Sequence, residues 1–402
     1  MRRLARWLPR VLAGIRTAWL LVGATLLLIA ALELALRAGF WLKDMGRPQI
    51  PPDPRVLASI PGSESWLPLH YRELEQLSDR WQPYVYFRQR AFTGQTIRIE
   101  PRGTRATWEP DSSHEAKADR PLRLLMLGGS SLWGFGARDD RTIPSLVARK
   151  LHDLGIHAKV ENFSEIGYVS TQEAITLMRL LQIGHPPDVV LFFDGVNDTT
   201  SAMIEGMATV TTNEGNRVRE FNLLQSTGRL TGALLGNLAT SSALYRVAIG
   251  IRTRLGIAGP VRPVPSQYRL DQLVEGVVGG YEANVAMIEA LGREYGFRPL
   301  LVWQPVVFSK RTLVPFEAEE AAKFHWVRPL FEEVHRRLRE SPALKGDAAF
   351  LDLSGRLDGL ESLAYLDYCH VTEEANELLA TSIVERMIEL GMDKSRAAGT
   401  GR

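Results

Sequence analysis

The sequence is poor in the residues and patterns that several protein classes require. Among its 402 residues is a single cysteine, Cys369, which excludes an intrachain disulfide and a cysteine-rich metal framework. Its eight histidines are scattered and form no His-x-His or His-Glu-x-x-His pattern. The 48 Lys and Arg residues are balanced by 46 Asp and Glu, so the basic excess of a nucleic-acid-binding protein is missing. We therefore expect no metal, no organic cofactor and no nucleic-acid partner.

One long apolar run lies near the N-terminus and predicts a membrane anchor. Residues 17–42 contain only two charges, Glu33 and Arg37, which lie one helical turn apart and can pair. Five arginines within residues 1–16 favour an N-terminus on the cytoplasmic side and a main domain outside the cytoplasm, which is the periplasm in a Gram-negative bacterium. A cleaved signal peptide is the alternative, but the apolar run is long and no small-x-small cleavage site follows it.

The remainder of the chain divides by composition into three parts. Residues 43–120 are rich in proline, arginine and aromatic residues and predict a juxtamembrane connector, in which "YVYFRQR" and "QTIRIE" could pair as a hairpin across "AFTG". Residues 121–392 predict the main domain, with an inserted cap at about 199–268. Residues 393–402 predict a disordered tail.

Short apolar runs alternate with amphipathic stretches in the main domain, which is typical of an α/β fold with a central parallel sheet between two helical layers. The predicted strands are "LRLLML", "AKVENF", "PDVVLFFDG", "PLLVWQP" and "AAFLDL". The third strand is apolar throughout, so we expect it in the sheet centre. Apolar residues from Val274 to Leu291 recur at helical spacing, and the charged stretch at residues 316–340 predicts another helix.

Candidate functional residues follow the first three strands. "GGSSLWG" places Ser130 after a tight glycine turn, and it lacks the Gly-Lys-Ser/Thr ending of a phosphate loop. Gly167 follows the second strand and Asn197 follows the third, and each can donate an N–H group. Because the carboxyl ends of parallel strands share one edge of a sheet, these residues can meet there. Taken singly, each is as readily explained as an ordinary turn or loop residue.

The last candidate pair is Asp367 and His370 in "LDYCH", just before a helix that Thr372 can cap. An aspartate that fixes the ring tautomer of a histidine allows the other ring nitrogen to accept a proton from a serine. Cys369 lies between them, but its immediate neighbour His370 is poorly placed to serve it as a base.

These four blocks, in this order, resemble those of the SGNH (GDSL-type) hydrolase superfamily. The resemblance covers about residues 121–392 and implies a flavodoxin-like three-layer α/β/α fold behind an N-terminal transmembrane helix. It implies Ser130 as nucleophile in a triad with His370 and Asp367, and an oxyanion hole formed by Ser130, Gly167 and Asn197. The first block departs from the family pattern, because Gly129 stands where relatives carry an acid, but Gly134 follows Ser130 at the family spacing. Ala375 also replaces a common glycine.

The resemblance implies a membrane-anchored serine esterase that acts on an ester substrate outside the cytoplasm, possible substrates being O-acyl groups of envelope glycans. The same site could serve an O-acyltransferase or a lipid esterase. A catalytically silent envelope scaffold is the alternative of another class. Protein partners, the acyl group and the acceptor are left open by the sequence.

Overall fold

The computed structural model describes residues 4–44, 52–110, 120–184, 186–224, 241–254 and 267–394. The described helices are α1 Leu4–Asp44, α2 Pro54–Ser59, α3 Leu67–Gln76, α4 Ser130–Trp133, α5 Ile143–Asp153, α6 Ser170–Gln182, α7 Val196–Glu205, α8 Glu214–Leu224, α9 Ala243–Arg254, α10 Gln267–Tyr295, α11 Pro315–Lys323, α12 Arg328–Glu340 and α13 Glu373–Glu389. The described strands are β1 Asp79–Gln82, β2 Tyr86–Gln89, β3 Phe92–Thr93, β4 Arg98–Ile99, β5 Leu122–Gly128, β6 Ala158–Asn162, β7 Val189–Asp194, β8 Arg298–Trp303 and β9 Phe350–Asp352.

A five-stranded parallel sheet organises the main domain, with strand order β6-β5-β7-β8-β9. Alternate residues of β5 enter opposite apolar cores: Leu124 and Met126 face one, and Leu125 and Leu127 face the other. Helices α5 and α13 pack together on the first side, while α10 packs against α6 and α12 on the second. The predicted α/β/α fold is confirmed. Strand β7 is buried along its whole length, as its apolar sequence predicts.

The chain forms two compact units, and the boundary differs from the predicted one. One unit comprises Met1–Gln49 with Asn216–Pro263, and the other comprises Ile50–Gly215 with Val264–Arg402. Most of the predicted cap at 199–268 thus groups with the N-terminal helix, and residues 199–215 belong to the sheet unit. This region is also more helical than its irregular sequence suggests, since it holds α8, α9 and most of α7.

The predicted connector is an integral part of the sheet unit. Val56, Trp66 and Leu67 form a small apolar core with Leu363 and Leu366, just before Asp367. A second small core joins Ile97 and Ile99 to Trp133, in the helix that begins at Ser130. Residues 52–110 therefore pack beside the two segments that carry Ser130 and Asp367.

The predicted hairpin between residues 84–90 and 95–100 is wrong. Strand β2 instead pairs antiparallel with the preceding β1, and β4 pairs with β3, which lies inside the stretch assigned to the turn. Glu73 supplies the physical reason. Its carboxylate accepts the backbone N–H groups of Gln95, Thr96 and Ile97 at 2.6, 2.9 and 3.0 Å, so these donors are not free for a ladder with β2.

The charged stretch 316–340 forms two helices, α11 and α12, rather than one. Pro329 lies in the first turn of α12, where its missing N–H costs little. In one continuous helix its ring would clash with the carbonyl of His325, so the chain turns between the two helices. The final helix α13 ends at Glu389, slightly before the predicted Met392, and Thr372 caps its start by accepting the N–H of Ala375 at 3.3 Å.

In the described part of the chain, one helix is long and apolar enough to cross a membrane. The span Ala13–Leu42 within α1 has 30 residues and a mean hydropathy of 2.3. The predicted pair on its surface forms, with Arg37 Nε 2.7 Å from Glu33 Oε1. The predicted tail from 395 onward and residues 111–119 of the connector lie outside the described residues.

Candidate active site

The turn after β5 places Ser130 at the start of a helix. Strand β5 ends at Gly128 and α4 begins at Ser130, so the Ser130 N–H is one of the first donors of a helix and has no partner within it. A Cβ on Gly128 would lie 2.9 Å from the Leu132 side chain and 3.0 Å from the Phe193 carbonyl oxygen. Glycine therefore permits the close packing that turns the chain, and Ser130 follows at the carboxyl edge of the sheet.

Ser130, His370 and Asp367 form a continuous hydrogen-bonded chain. The Ser130 Oγ lies 2.8 Å from Nε2 of His370, and Nδ1 of the same ring lies 2.5 Å from Oδ2 of Asp367. The other Asp367 oxygen accepts the backbone N–H groups of Cys369 and His370, both at 2.8 Å. Burial raises the pKa of Asp367, but the charge and hydrogen bonds of His370 outweigh it and hold that pKa below its usual value. An ionised Asp367 requires the proton on Nδ1, which leaves Nε2 to accept the Ser130 proton.

Gly167 and Asn197 reach the same edge of the sheet. Gly167 has a φ of +81°, a conformation that favours glycine, and its N–H has no hydrogen-bond partner among the described residues. The Asn197 Nδ2 donates one hydrogen to the Tyr168 carbonyl oxygen at 2.7 Å, which leaves its second hydrogen available. A Cβ on Gly129 would overlap Asn197 Nδ2, so the Asn197 amide lies against the backbone just before Ser130. The absence of an acidic side chain at position 129 makes room for this approach.

The position of Asn197 depends on a buried polar framework. Asp198 accepts the Ser170 hydroxyl at 2.6 Å and the Ser170 N–H at 3.2 Å, which ties the end of β7 to the start of α6. Asn284 on α10 donates to the same hydroxyl oxygen at 2.9 Å. Gly195 has a φ of +121°, and a Cβ there would lie 2.8 Å from the Trp303 ring. The start of α7, which carries Asn197, is thus fixed from three sides.

Three buried carboxyl groups lie close to the start of α7: Glu173, Asp194 and Asp198. Burial raises the pKa of all three, and their mutual repulsion adds to the effect for Glu173 and Asp194. The pKa of Asp194 rises to about 8. Glu173 Oε2 and Asp194 Oδ1 have no donor among the described residues. A proton held between the two carboxyl groups would satisfy both oxygens, which is the state that their raised pKa values favour.

Two other candidate nucleophiles, Ser131 and Cys369, lie near Ser130, but their surroundings do not favour that role. The Ser131 hydroxyl donates to the Cys369 carbonyl oxygen at 3.2 Å and accepts from Gln304 at 3.3 Å, so it links the serine and histidine loops. Burial raises the pKa of the Cys369 thiol well above its usual value, which disfavours the reactive thiolate.

Asp367, Cys369 and His370 are also the one group of described side chains close enough together to share a metal ion. The carboxylate and the imidazole already bond each other, and the thiol is held in its protonated form. This donor set therefore fits a triad better than a metal centre.

Sequence reasoning missed Phe135, which stacks on the His370 ring with a centroid distance of 4.2 Å and an interplanar angle of 23°. His70 Nε2 lies 2.8 Å from the Phe135 carbonyl oxygen. Burial and the nearby Arg105 charge lower the pKa of His70 to about 3, so the ring is neutral and Nε2 carries its proton. The orientation of the His370 imidazole thus depends on the Phe135 ring, and His70 of the connector binds the backbone of Phe135.

Sequence reasoning also missed Arg105. Its buried guanidinium donates to the carbonyl oxygens of Gly134 and Ala137 at 2.5 and 2.6 Å and to Asp139 Oδ1 at 2.9 Å, and it lies 4.2 Å from the Trp133 ring. The loop that follows Ser130 therefore closes around this one side chain. In the sequence, the only signal is an arginine at the end of "PRGTR", which nothing distinguishes from the other arginines of the connector.

A cavity of about 140 Å³ opens beside the site, at the carboxyl ends of β7 and β8. Its walls combine apolar side chains, such as Val196, Trp303 and Phe331, with polar ones, such as Gln304 and His335. Val196 is the neighbour of Asn197, and Gln304 bonds Ser131, so the cavity adjoins the Ser130 region.

Comparisons with known proteins give structural neighbours only. No family model and no curated protein matches the chain. A carbohydrate acetylesterase family member from Sinorhizobium meliloti is 14% identical with a TM-score of 0.37, over 67% of this chain and 99% of that one. A lipase/acylhydrolase from Enterococcus faecalis is 15% identical with a TM-score of 0.37, over 69% and 99%. The lipase Lip_vut3 from a goat rumen metagenome is 13% identical with a TM-score of 0.37, over 66% and 97%.

Identities and scores of this size carry no information on the substrate of this chain. The structure itself gives the strand order of the main sheet, β6-β5-β7-β8-β9. The switch point lies between β5 and β7, and Ser130 and Asn197 follow the ends of these two strands. In fold, the chain is similar to these esterases and lipases.

Proposed function

We propose that the protein is a membrane-anchored serine esterase of the SGNH type. One observation carries the proposal: the hydrogen-bonded chain from Ser130 Oγ through His370 to Asp367, at 2.8 and 2.5 Å, at the switch point of a parallel sheet. Ser130 lies 240 positions from His370 in the sequence, and a purely structural contact does not need a serine, a histidine and an aspartate in this order of bonds.

In the first step, the Ser130 hydroxyl transfers its proton to His370 Nε2 as its oxygen attacks the carbonyl carbon of an ester. Asp367 holds the Nδ1 proton and stabilises the imidazolium that forms. The negative charge on the former carbonyl oxygen is then received by the N–H groups of Ser130 and Gly167 and by the free hydrogen of the Asn197 amide. His370 next returns its proton to the leaving alcohol, and Ser130 retains the acyl group.

A water molecule completes the reaction. It gives a proton to His370 as its oxygen attacks the acyl carbon, and collapse of this second intermediate releases the acid and restores the Ser130 hydroxyl. The same site would serve an acyltransferase if a sugar hydroxyl replaced water at this step.

For the substrate, we propose ester-linked acyl groups on envelope glycans. The support is the location: the arginines before the apolar span favour an N-terminus inside, which leaves the bulk of the chain outside the cytoplasm. The cavity beside the site has both apolar and polar walls, so its lining alone does not separate a glycan ester from a lipid ester.

The test is hydrolysis of a short-chain and a long-chain p-nitrophenyl ester by the full chain in detergent, beside Ser130→Ala and Ser131→Ala. We expect Ser130→Ala to abolish activity and Ser131→Ala to retain most of it, because the Ser131 hydroxyl bonds the Cys369 carbonyl instead of His370. Preference for the short ester would favour small acyl groups over lipids. Activity that survives Ser130→Ala would refute the assignment, and a wild-type chain inactive on both esters would favour the transferase or the silent scaffold.

A further inference from the structure

The segment around α9 is docked on the candidate membrane helix through a carboxylate. Glu33 of α1 accepts the Ser242 hydroxyl at 2.7 Å and the N–H groups of Ala243 and Leu244 at 2.7 and 3.1 Å. Arg37, already paired with Glu33, donates to the Ser241 carbonyl oxygen at 3.1 Å. A charge inside an apolar span is costly unless it is paired, and here a helix start and an arginine satisfy it.

These contacts fix the depth of α9 along the anchor. A hydrocarbon core of about 30 Å takes about 20 helical residues, so a span that begins after Arg16 reaches the outer boundary near residue 36. Glu33 then lies about one helical turn inside that boundary, and the first turn of α9 lies at the same depth. Further along both helices, Arg246 lies over the Phe40 ring at 4.4 Å, at the level of the headgroups.

The exposed side of α9 suits this location. Tyr245 is 45% exposed and Ile251 is 53% exposed, although both are large and apolar or amphipathic. The helix contains no acidic residue and carries three arginines, at 246, 252 and 254. Exposed tyrosine and isoleucine on a helix that has arginines and no acidic residue are typical of an element that lies in a membrane interface.

We propose that residues 241–254 form a second lipid-contacting element, which enters the outer interface of an anionic bilayer alongside the anchor and is held there by Glu33. The inference rests on the proposed membrane location but is independent of the proposed ester hydrolysis. It also gives a role to the predicted cap: this part of the chain is bound to the anchor's own unit.

The experiment uses the full chain reconstituted in vesicles of phosphatidylethanolamine and phosphatidylglycerol, with an environment-sensitive dye on Tyr245→Cys, Ile251→Cys or, as control, Ile388→Cys. Ile388 is a 42% exposed isoleucine on α13 of the other unit. The native Cys369 is only 2% exposed and should not react, so wild-type protein treated with the same dye serves as the blank. We expect vesicles with brominated acyl chains to quench the dye at 245 most strongly, to quench the dye at 251 less because it lies about two helical turns farther from Glu33, and to leave the dye at 388 bright.

Flotation of the vesicles and ester hydrolysis are measured on the same samples. A chain that floats with the vesicles while its dyes at 245 and 251 stay as bright as the control overturns the inference and leaves the anchor intact. Equal quenching at all three positions also overturns it, because contact would then not be specific to α9. A chain that does not float overturns the anchor and the inference together, and the esterase assay reports separately on the proposed activity.

Discussion

The three buried carboxyl groups near the start of α7, Glu173, Asp194 and Asp198, make the stability of the protein depend on pH. The direction is opposite to that caused by a carboxyl group whose pKa is lowered in the folded state. The pKa of Asp194 is raised from the ordinary value of 3.8 to about 8, mainly by burial and then by the charge of Asp198. Between these two values the folded chain keeps a proton that the unfolded chain has lost. The free energy of unfolding is therefore highest below about pH 4 as far as this group is concerned, and it falls as the pH rises toward 8.

The magnitude follows from one retained proton. Each pH unit between about 4 and 8 lowers the free energy of unfolding by about 1.4 kcal/mol for a single group. Asp194→Asn removes that titration and keeps the shape and an amide hydrogen that can bond Glu173. We expect the variant to resemble the wild type near pH 4 and to become progressively more stable than it toward pH 8, by an amount on the order of several kcal/mol.

Urea unfolding of the full chain in detergent, followed by tryptophan fluorescence at several pH values, measures this difference. Asp352→Asn is the matched control. Burial raises the pKa of Asp352, but hydrogen bonds from His335 and Ser354 outweigh it and lower that pKa to about 2. The stability difference between Asp352→Asn and wild type should therefore lack the steady increase from pH 5 to pH 8 that Asp194→Asn shows, and it should shrink at lower pH as Asp352 gains its proton. If the difference between Asp194→Asn and wild type is the same at pH 5 and pH 8, the shared-proton account of the cluster is wrong.

Other predictions concern the site itself. Asn197→Ala removes the proposed oxyanion donor and should lower kcat by about 100- to 1000-fold with a smaller effect on KM; an unchanged kcat in steady-state ester hydrolysis would exclude Asn197 from that role. Phe135→Leu keeps an apolar cover but loses the ring stacked on His370, so we expect a lower kcat, whereas an unchanged kcat in steady-state ester hydrolysis would show that the stacked ring does not position the imidazole. Arg105→Met leaves the carbonyl groups of the following loop without their donor and should lower both stability and kcat, which thermal unfolding and ester hydrolysis measure together; full activity in this variant would contradict its positioning role. Thiol reagents should not inactivate the folded chain, because Cys369 is buried and its pKa is raised; rapid loss of activity that Cys369→Ser prevents would contradict this.

The sequence by itself determined the elements whose signals are local. The five strands of the main sheet overlap the five stretches that the sequence predicts, and strand β7 is apolar enough to predict its central, fully buried position. The cap at Thr372 forms as its residue type predicts. The order of the blocks that contain Ser130, Gly167, Asn197 and His370 also follows from the sequence, since parallel strands bring their carboxyl ends to one edge.

Only the tertiary structure decided how the polar groups of distant segments are shared. The hairpin pairing was predicted wrongly because Glu73 accepts the N–H groups of residues 95–97, and no pattern within residues 84–100 records that. The loop after Ser130 is held by Arg105 and His70, from a stretch whose composition resembles a linker. The pKa of Asp194 depends on Asp198, close to it in the sequence, and also on Glu173, which belongs to another helix.

The same distinction explains the insertion. The stretch "SSALYRVAIGIRTR" lies in the predicted cap, whose sequence is irregular, and the partner of its Ser242 is a glutamate more than two hundred positions earlier, within the apolar N-terminal run. Local sequence specifies which backbone conformations are favourable, because propensity and periodicity act over a few residues. The partner of a buried charge or an orphan N–H group is chosen by which segments the whole chain brings within hydrogen-bond distance, and that choice exists only in the folded molecule.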